Sequence, residues 1–127
     1  MPTEKIAALL DDWSAALASG DPSIIADLYA PDAVLLPTVS HQIRLDRGQI
    51  RRYFRDIMMR RATSRFVEVH SRLFDTIGIN SGIYIFKMHR DDGTPFDLIC
   101  RFTFVYMLLD GAWKIIEHHS SVMPDQV

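Results

Sequence analysis

Ile6, Leu9, Leu10, Trp13 and Leu17 recur three and four residues apart, the spacing that gathers side chains on one side of a helix. Thr3-Glu4 ahead of them reads as the helix start, and Gly20 as its end. Asp21-Pro22 supplies a cap followed by proline at a first helical position, which predicts a second, shorter helix carrying Ile24, Ile25, Leu28 and Tyr29 until Pro31 stops it. Val34-Leu35-Leu36 and residues 39–45 then read as short strands interrupted at Pro37-Thr38. Asp46-Arg47-Gly48 turns the chain into a third helix, with Ile50, Tyr53, Phe54, Ile57 and Met58 on one side.

From Phe66 the period shortens to two. Strands are predicted near 66–76, 83–90, 96–109 and 112–121, separated by turns at Gly78–Gly82, Asp91–Pro95 and Asp110-Gly111. Asp-Gly between alternating segments is a strong hairpin signal. Helices first and a meander of strands afterwards predict an α+β fold with the helices on one side of the sheet. In segment 96–109, Phe102, Phe104, Tyr106 and Leu108 alternate with Thr103, Val105, Met107 and Leu109, so both faces are largely apolar. Helices can cover one face only; a second copy of the sheet is the expected cover for the other, giving a homodimer.

The chain has 127 residues, 48% of them hydrophobic, enough for one core and too few for two ordinary domains, so residues 1–127 are read as a single domain. A net charge of −2 argues against nucleic acid as a partner. No apolar run approaches the length of a membrane span, and the N-terminus lacks a basic, cleavable leader. The lone Cys100 can form no internal disulfide, which fits a cytoplasmic setting. No glycine-rich phosphate cradle, nucleophile elbow or paired-cysteine motif occurs, so no cofactor is expected.

Candidate chemistry gathers on the last two strands. Arg101 lies within an apolar strand, where a guanidinium needs a carboxylate, water or a ligand anion. Asp97 and Glu117 are possible structural partners, and a ligand carboxylate or carbonyl is the functional alternative. A two-residue turn at Asp110-Gly111 sets Thr103 opposite His118 and Arg101 opposite Ser120, while a bulge in the last strand would move one set against the other. His118 and His119 point to opposite faces of a regular strand, which argues against shared metal ligation and leaves open which one faces inward. No metal site is expected.

Tyr29, Tyr84 and Trp13 are amphipathic aromatics able to line a cavity with a polar tip inward, although Trp13, on a helix stripe, also suits plain core packing. The expected ligand-binding set is therefore Arg101, Tyr29, Tyr84, Thr103, His118, His119, Ser120 and Trp13. No residue is assigned a catalytic role. The arginine run between Arg44 and Arg65 reads as a solvated helix face or an interprotomer contact before it reads as a polyanion surface, because Asp46 and Asp56 interrupt it and no stacking aromatics accompany it.

Four segments carry a family resemblance: Trp13 to Asp21, Tyr29-Ala30-Pro31-Asp32-Ala33-Val34, Arg101 to Val105, and Asp110-Gly111-Ala112-Trp113-Lys114-Ile115-Ile116 running on to His118-His119-Ser120-Ser121-Val122-Met123-Pro124. Together they resemble the nuclear transport factor 2-like (SnoaL-like) superfamily, and within it the bacterial relatives of the calcium/calmodulin-dependent protein kinase II association domain. The resemblance implies a cone: three helices against a strongly curved, mostly antiparallel mixed sheet enclosing a pocket, with dimerisation through the sheet. It implies no single reaction, since the superfamily holds isomerases, dehydratases, hydrolases and non-catalytic assembly modules. The family's pocket arginines fall at Phe104 and near Ser120 here, so that cluster is not kept in place. The expected function is a dimeric small-molecule binding domain. A pocket enzyme using a histidine or Asp97 with Tyr29 or Tyr84, and an oligomerisation module, are the alternatives.

Overall fold

The computed structural model describes residues 2–125. Helix α1 (Pro2–Ala18) ends at Gly20, whose left-handed backbone (φ 74°) releases the chain into a short α2 (Pro22–Ala26). Asp21 caps α2 by accepting from the Ser23 amide at 2.9 Å, and Asp46 caps α3 (Arg47–Met58) by accepting from the Gln49 amide at 2.8 Å. Strand β1 (Tyr29–Leu36) lies between them; β2 (Thr63–Phe74), β3 (Ile77–His89), β4 (Pro95–Leu109) and β5 (Ala112–Val122) follow α3.

The sheet order is β1-β5-β4-β3-β2, with β1 parallel to β5 and every other pair antiparallel. The first strand is therefore completed by the last. The architecture is α+β, with the helices at the N-terminal end of the chain and one five-stranded mixed sheet, as the period change after Phe66 predicts. Asp110 (φ 50°) and Gly111 (φ 81°) are both left-handed, the geometry a two-residue hairpin needs to match strand twist.

Three expectations are corrected. Leu28 and Tyr29 do not lie on the second helix: α2 stops at Ala26, and Tyr29 opens β1, where Pro31 is tolerated on an edge strand. Residues 39–45 are not a strand but a loop joined to β1 through the Leu35–Arg44 bridge alone. Gly78 and Gly82 are not a turn; the hairpin turns at Asp75-Thr76, and both glycines sit inside β3. Close approach explains them: a Cβ on Gly78 would stand 2.6 Å from Ile6 Cδ1, and one on Gly82 1.8 Å from the Glu68 carbonyl oxygen, beside a bulge in β2.

The strand pairing of β4 with β5 also differs from a plain count. Val105 pairs with Glu117 and Tyr106 with Ile115, leaving Ile116 as a bulge. Beyond it every partner moves by one: Phe104 faces His118, Thr103 faces His119, Phe102 faces Ser120 and Arg101 faces Ser121. His118 thereby turns inward with Phe104, and His119 outward with Thr103.

Side chains on the helix-covered face form the core. Trp13 (1% exposed) is its centre, with Phe54, Tyr84, Phe86, Phe104 and the His118 ring all within 6.1 Å, centroid to centroid. Its closest ring partners meet it edge-on, the arrangement favoured by aromatic quadrupoles. The opposite face of β3 and β4 carries Ile79, Ile83, Ile85, Val105 and Met107, all half-buried with no helix over them.

Candidate functional site

A line of hydrogen bonds crosses the core between elements that are far apart in sequence. Trp13 on α1 donates from Nε1 to the Tyr29 hydroxyl at 3.1 Å, and that hydroxyl is 2.8 Å from His118 Nδ1. His118 Nε2 is 3.2 Å from the Tyr84 hydroxyl, which donates to Ser120 Oγ; Ser120 in turn bonds Thr38 Oγ1. With the Tyr84 proton committed to Ser120, the network assigns the imidazole proton to Nε2, so Nδ1 accepts from Tyr29.

Every member of this line is neutral, and that follows from burial. His118 is 2% exposed and stacked on Phe104 at 3.9 Å; burial, with a smaller contribution from His119, lowers its pKa to about 3. Burial likewise raises Tyr29 and Tyr84 well above the ordinary phenol range, and pushes Tyr53 up to about 12 against the opposing effect of the Val39 backbone and Arg44. Cys100, on the same buried side, is pushed up to about 11, which leaves it an unreactive thiol near neutral pH.

The line ends at a small cavity. Leu35, Val39, Phe54, Ile57, Phe86 and Met88 form its apolar wall; Thr38, Tyr84, Ser120 and His118 form its polar side, and Tyr53 and Trp13 complete it. The free space is about 20 Å³, room for a molecule the size of water. No carboxylate borders it, and the one imidazole has both nitrogens occupied. Such a lining can exchange hydrogen bonds with a hydroxyl or carbonyl; it holds no group that changes charge near neutrality. Among the described residues no three His, Cys, Asp or Glu side chains converge on a point where a metal could sit.

The expected site set thus divides in two. Trp13, Tyr29, Tyr84, His118 and Ser120 come together in the line and its cavity. Arg101, Thr103 and His119 point to the other face of the sheet, Arg101 and His119 exposed and Thr103 half-buried. Arg101 needs no burial partner there, and it forms no ion pair with Asp97 or Glu117 among the described residues. The sequence reading missed Thr38 and Tyr53. Tyr53 was visible as one polar tip on the α3 stripe; Thr38, in a loop after proline, gave no signal.

Helices laid across one face of a curved sheet, with a cavity between, define a nuclear transport factor 2-like domain. A Streptomyces avermitilis protein described as a dehydratase of the NTF2-like family superposes with a TM-score of 0.85 at 15% identity, covering 98% of this chain and 97% of the other. More particularly, the chain belongs to the calcium/calmodulin dependent protein kinase II association domain family, whose profile matches residues 3–124. A Xanthomonas campestris protein described as such an association domain is 45% identical over 96% of this chain and 88% of its own, with a TM-score of 0.92. The S. rosetta CaMKII hub shares the fold at 16% identity and a TM-score of 0.80, covering 97% and 98% of the two chains. No protein of curated function matches the sequence. No helix among the described residues is long and apolar enough to cross a membrane.

Proposed function

We propose that this chain is a self-association domain whose protomers pair through the outer face of the sheet. The observation that carries the reading is the composition of that face: Ile79 beside Val105, Ile85 beside Ile99, and Ile77 beside Met107 form an apolar field on β3 and β4 that no element of the same chain covers. Charges of both signs border it, with Arg72 and Lys87 against Glu68, Glu117 and Asp97, while Arg101 stands within it opposite Ile83. A patch with both signs at its rim suits a two-fold pairing, in which each surface meets its own copy. Membership of an association-domain family supports the same reading.

A second reading, small-molecule binding in the cavity, is favoured by one feature: the hydroxyls of Thr38, Ser120 and Tyr84 gather at a wall that is otherwise apolar. A few convergent polar groups in an apolar recess are the usual composition of a ligand site. With about 20 Å³ free, an organic ligand would enter only as the loop at 37–45 moves. A proton-transfer enzyme finds less support, because the lining has no acid and base poised near neutral pH.

Native mass spectrometry addresses both readings at once. The expected result is a dimer or larger assembly for the wild type and a folded monomer for Val105→Glu, whose added carboxylate would have to be buried without a partner. A monomeric wild type, or an assembly unmoved by Val105→Glu, overturns the sheet-face reading. A small organic molecule retained under gentle conditions and lost on denaturation supports occupancy of the cavity.

A further inference from the structure

Between Arg44 and Arg65 the chain carries eight arginines against two aspartates, a net charge of +6 in a protein whose total is −2. The fold gathers five of the eight, joined by Arg90, along two adjoining grooves, while Arg47 and Arg51 turn to the Tyr29 carbonyl and Ser23 instead. A groove of about 610 Å³ on α3 and the preceding loop is lined by Arg44, Arg52 and Arg55, and a second of about 530 Å³ past the end of α3 by Arg60, Arg61 and Arg90. The two meet at Asp56, which lines both.

Several features set this band apart from an ordinary solvated helix face. Arg44 is half-buried and positioned, donating to Ser40 Oγ at 3.0 Å and to the Gln42 carbonyl, with its guanidinium 5.2 Å from the centre of the Tyr53 ring. It has no carboxylate partner among the described residues, nor have Arg52 and Arg61. In the second groove Arg90 is held in the same way, 4.6 Å over Phe96. The carboxylates nearby make only long, exposed contacts, Arg55–Asp56 at 3.6 Å and Arg60–Asp91 at 3.8 Å, which hold little energy and exchange readily. Arg61 adopts a left-handed backbone (φ 52°), which glycine takes up without strain and an arginine does not.

The occupant's chemistry follows from what lies between the arginines. Ile43 and Leu45 (52% and 60% exposed) border the first groove and Met59 (79% exposed) the second, so apolar contacts alternate with cationic ones. Nucleic acid would find no exposed aromatic ring to stack on in the first groove, since Tyr53 is 8% exposed. An extended peptide fits better. From Arg52 to the end of α3 at Met58 the helix rises about 9 Å, which an extended chain covers in about three residues, so one short segment can reach from the first groove into the second. We propose that this band binds an acidic segment of a partner protein in which leucine-like side chains are interspersed among carboxylates.

Fluorescence anisotropy with a labelled dodecapeptide of repeating Glu-Glu-Leu tests the assignment on the full chain. The expected result is salt-sensitive binding that weakens about tenfold or more in Arg44→Gln/Arg52→Gln and again in Arg60→Gln/Arg61→Gln. Arg61→Gly separates binding from folding: it relieves the backbone, so the thermal midpoint should hold or rise while binding falls. Absence of binding by the wild type, equal binding by the variants, or equal affinity for an all-glutamate peptide overturns the proposal. An oligothymidylate of the same length that binds as tightly would make the band a nucleic-acid surface, and arginine variants that change assembly size would make its occupant a second copy; either outcome also overturns it.

Discussion

Consecutive residues of β4 live under different constraints. Phe102, Phe104 and Tyr106 (4%, 0% and 2% exposed) pack beneath the helices, where every buried polar side-chain atom among the described residues has a hydrogen-bond partner. Thr103, Val105 and Met107, one residue away in each case, face out from the sheet and are only half-buried. The inner face is complete within one chain, because a ring lies over each ring and a hydroxyl answers each imidazole nitrogen. The outer face has apolar side chains and nothing of its own to cover them. If the outer face is where protomers pair, as proposed, stability and association depend on alternate residues of one strand, and substitutions can address either without the other.

The sharpest test of that separation sets Phe104→Ala against Val105→Ala. The first removes the ring stacked on His118 and should cost about 3–5 kcal/mol in urea unfolding. The second, on a half-exposed side chain, should cost about 1 kcal/mol or less and act chiefly on assembly. Comparable losses would break the comparison. Next comes Tyr84→Phe, which leaves Ser120 and the His118 Nε2–H without the partner they share; about 1–3 kcal/mol of stability should go, with assembly size unchanged by sedimentation.

A third test is a pH slope. His118 has a folded-state pKa of about 3 against an ordinary value near 6.5, so the unfolded chain binds its proton first as pH falls. Stability contributed by the neutral ring is complete above about 6.5 and declines by up to about 1.4 kcal/mol per pH unit down toward 3. His118→Gln should flatten that slope between about pH 6.5 and 5, above the range where most carboxylates titrate. An unchanged slope would mean that the ring is not held neutral.

Long periodic segments were readable from the sequence because their side chains report burial directly. The stripe from Ile6 to Leu17, the stripe on α3 and the alternation in β4 all correspond to buried faces. What escaped reading turned on single residues. Ile116 is an ordinary strand former, yet as a bulge it exchanges the roles of His118 and His119, since one step of register moves a whole strand face. Gly78 and Gly82 carry the same composition signal as a turn, and only the nearness of Ile6 and the Glu68 carbonyl shows that they are there for lack of a Cβ. Arg101 looked costly on a strand apolar on both faces, but an apolar outer face need not be a dry one. Thr38 is a cavity residue only because the loop brings it to Ser120, a distance of 82 residues that no local pattern encodes.

The pairing of β1 with β5 has a consequence for how the molecule comes into being. Tyr29 is among the first residues of the sheet to leave the ribosome, and its partners Ile115 and His118 are among the last, 89 residues later in the case of the imidazole. Until β5 emerges, β1 has no neighbour in the sheet and Trp13 has only part of its aromatic shell. Such long-range closure slows folding, since distant segments must meet before their contacts contribute. A chain halted before Ala112 would hold its helices and the β2–β4 meander around an open seam, so the emergence of β5 should be the step that turns this domain into a folded unit.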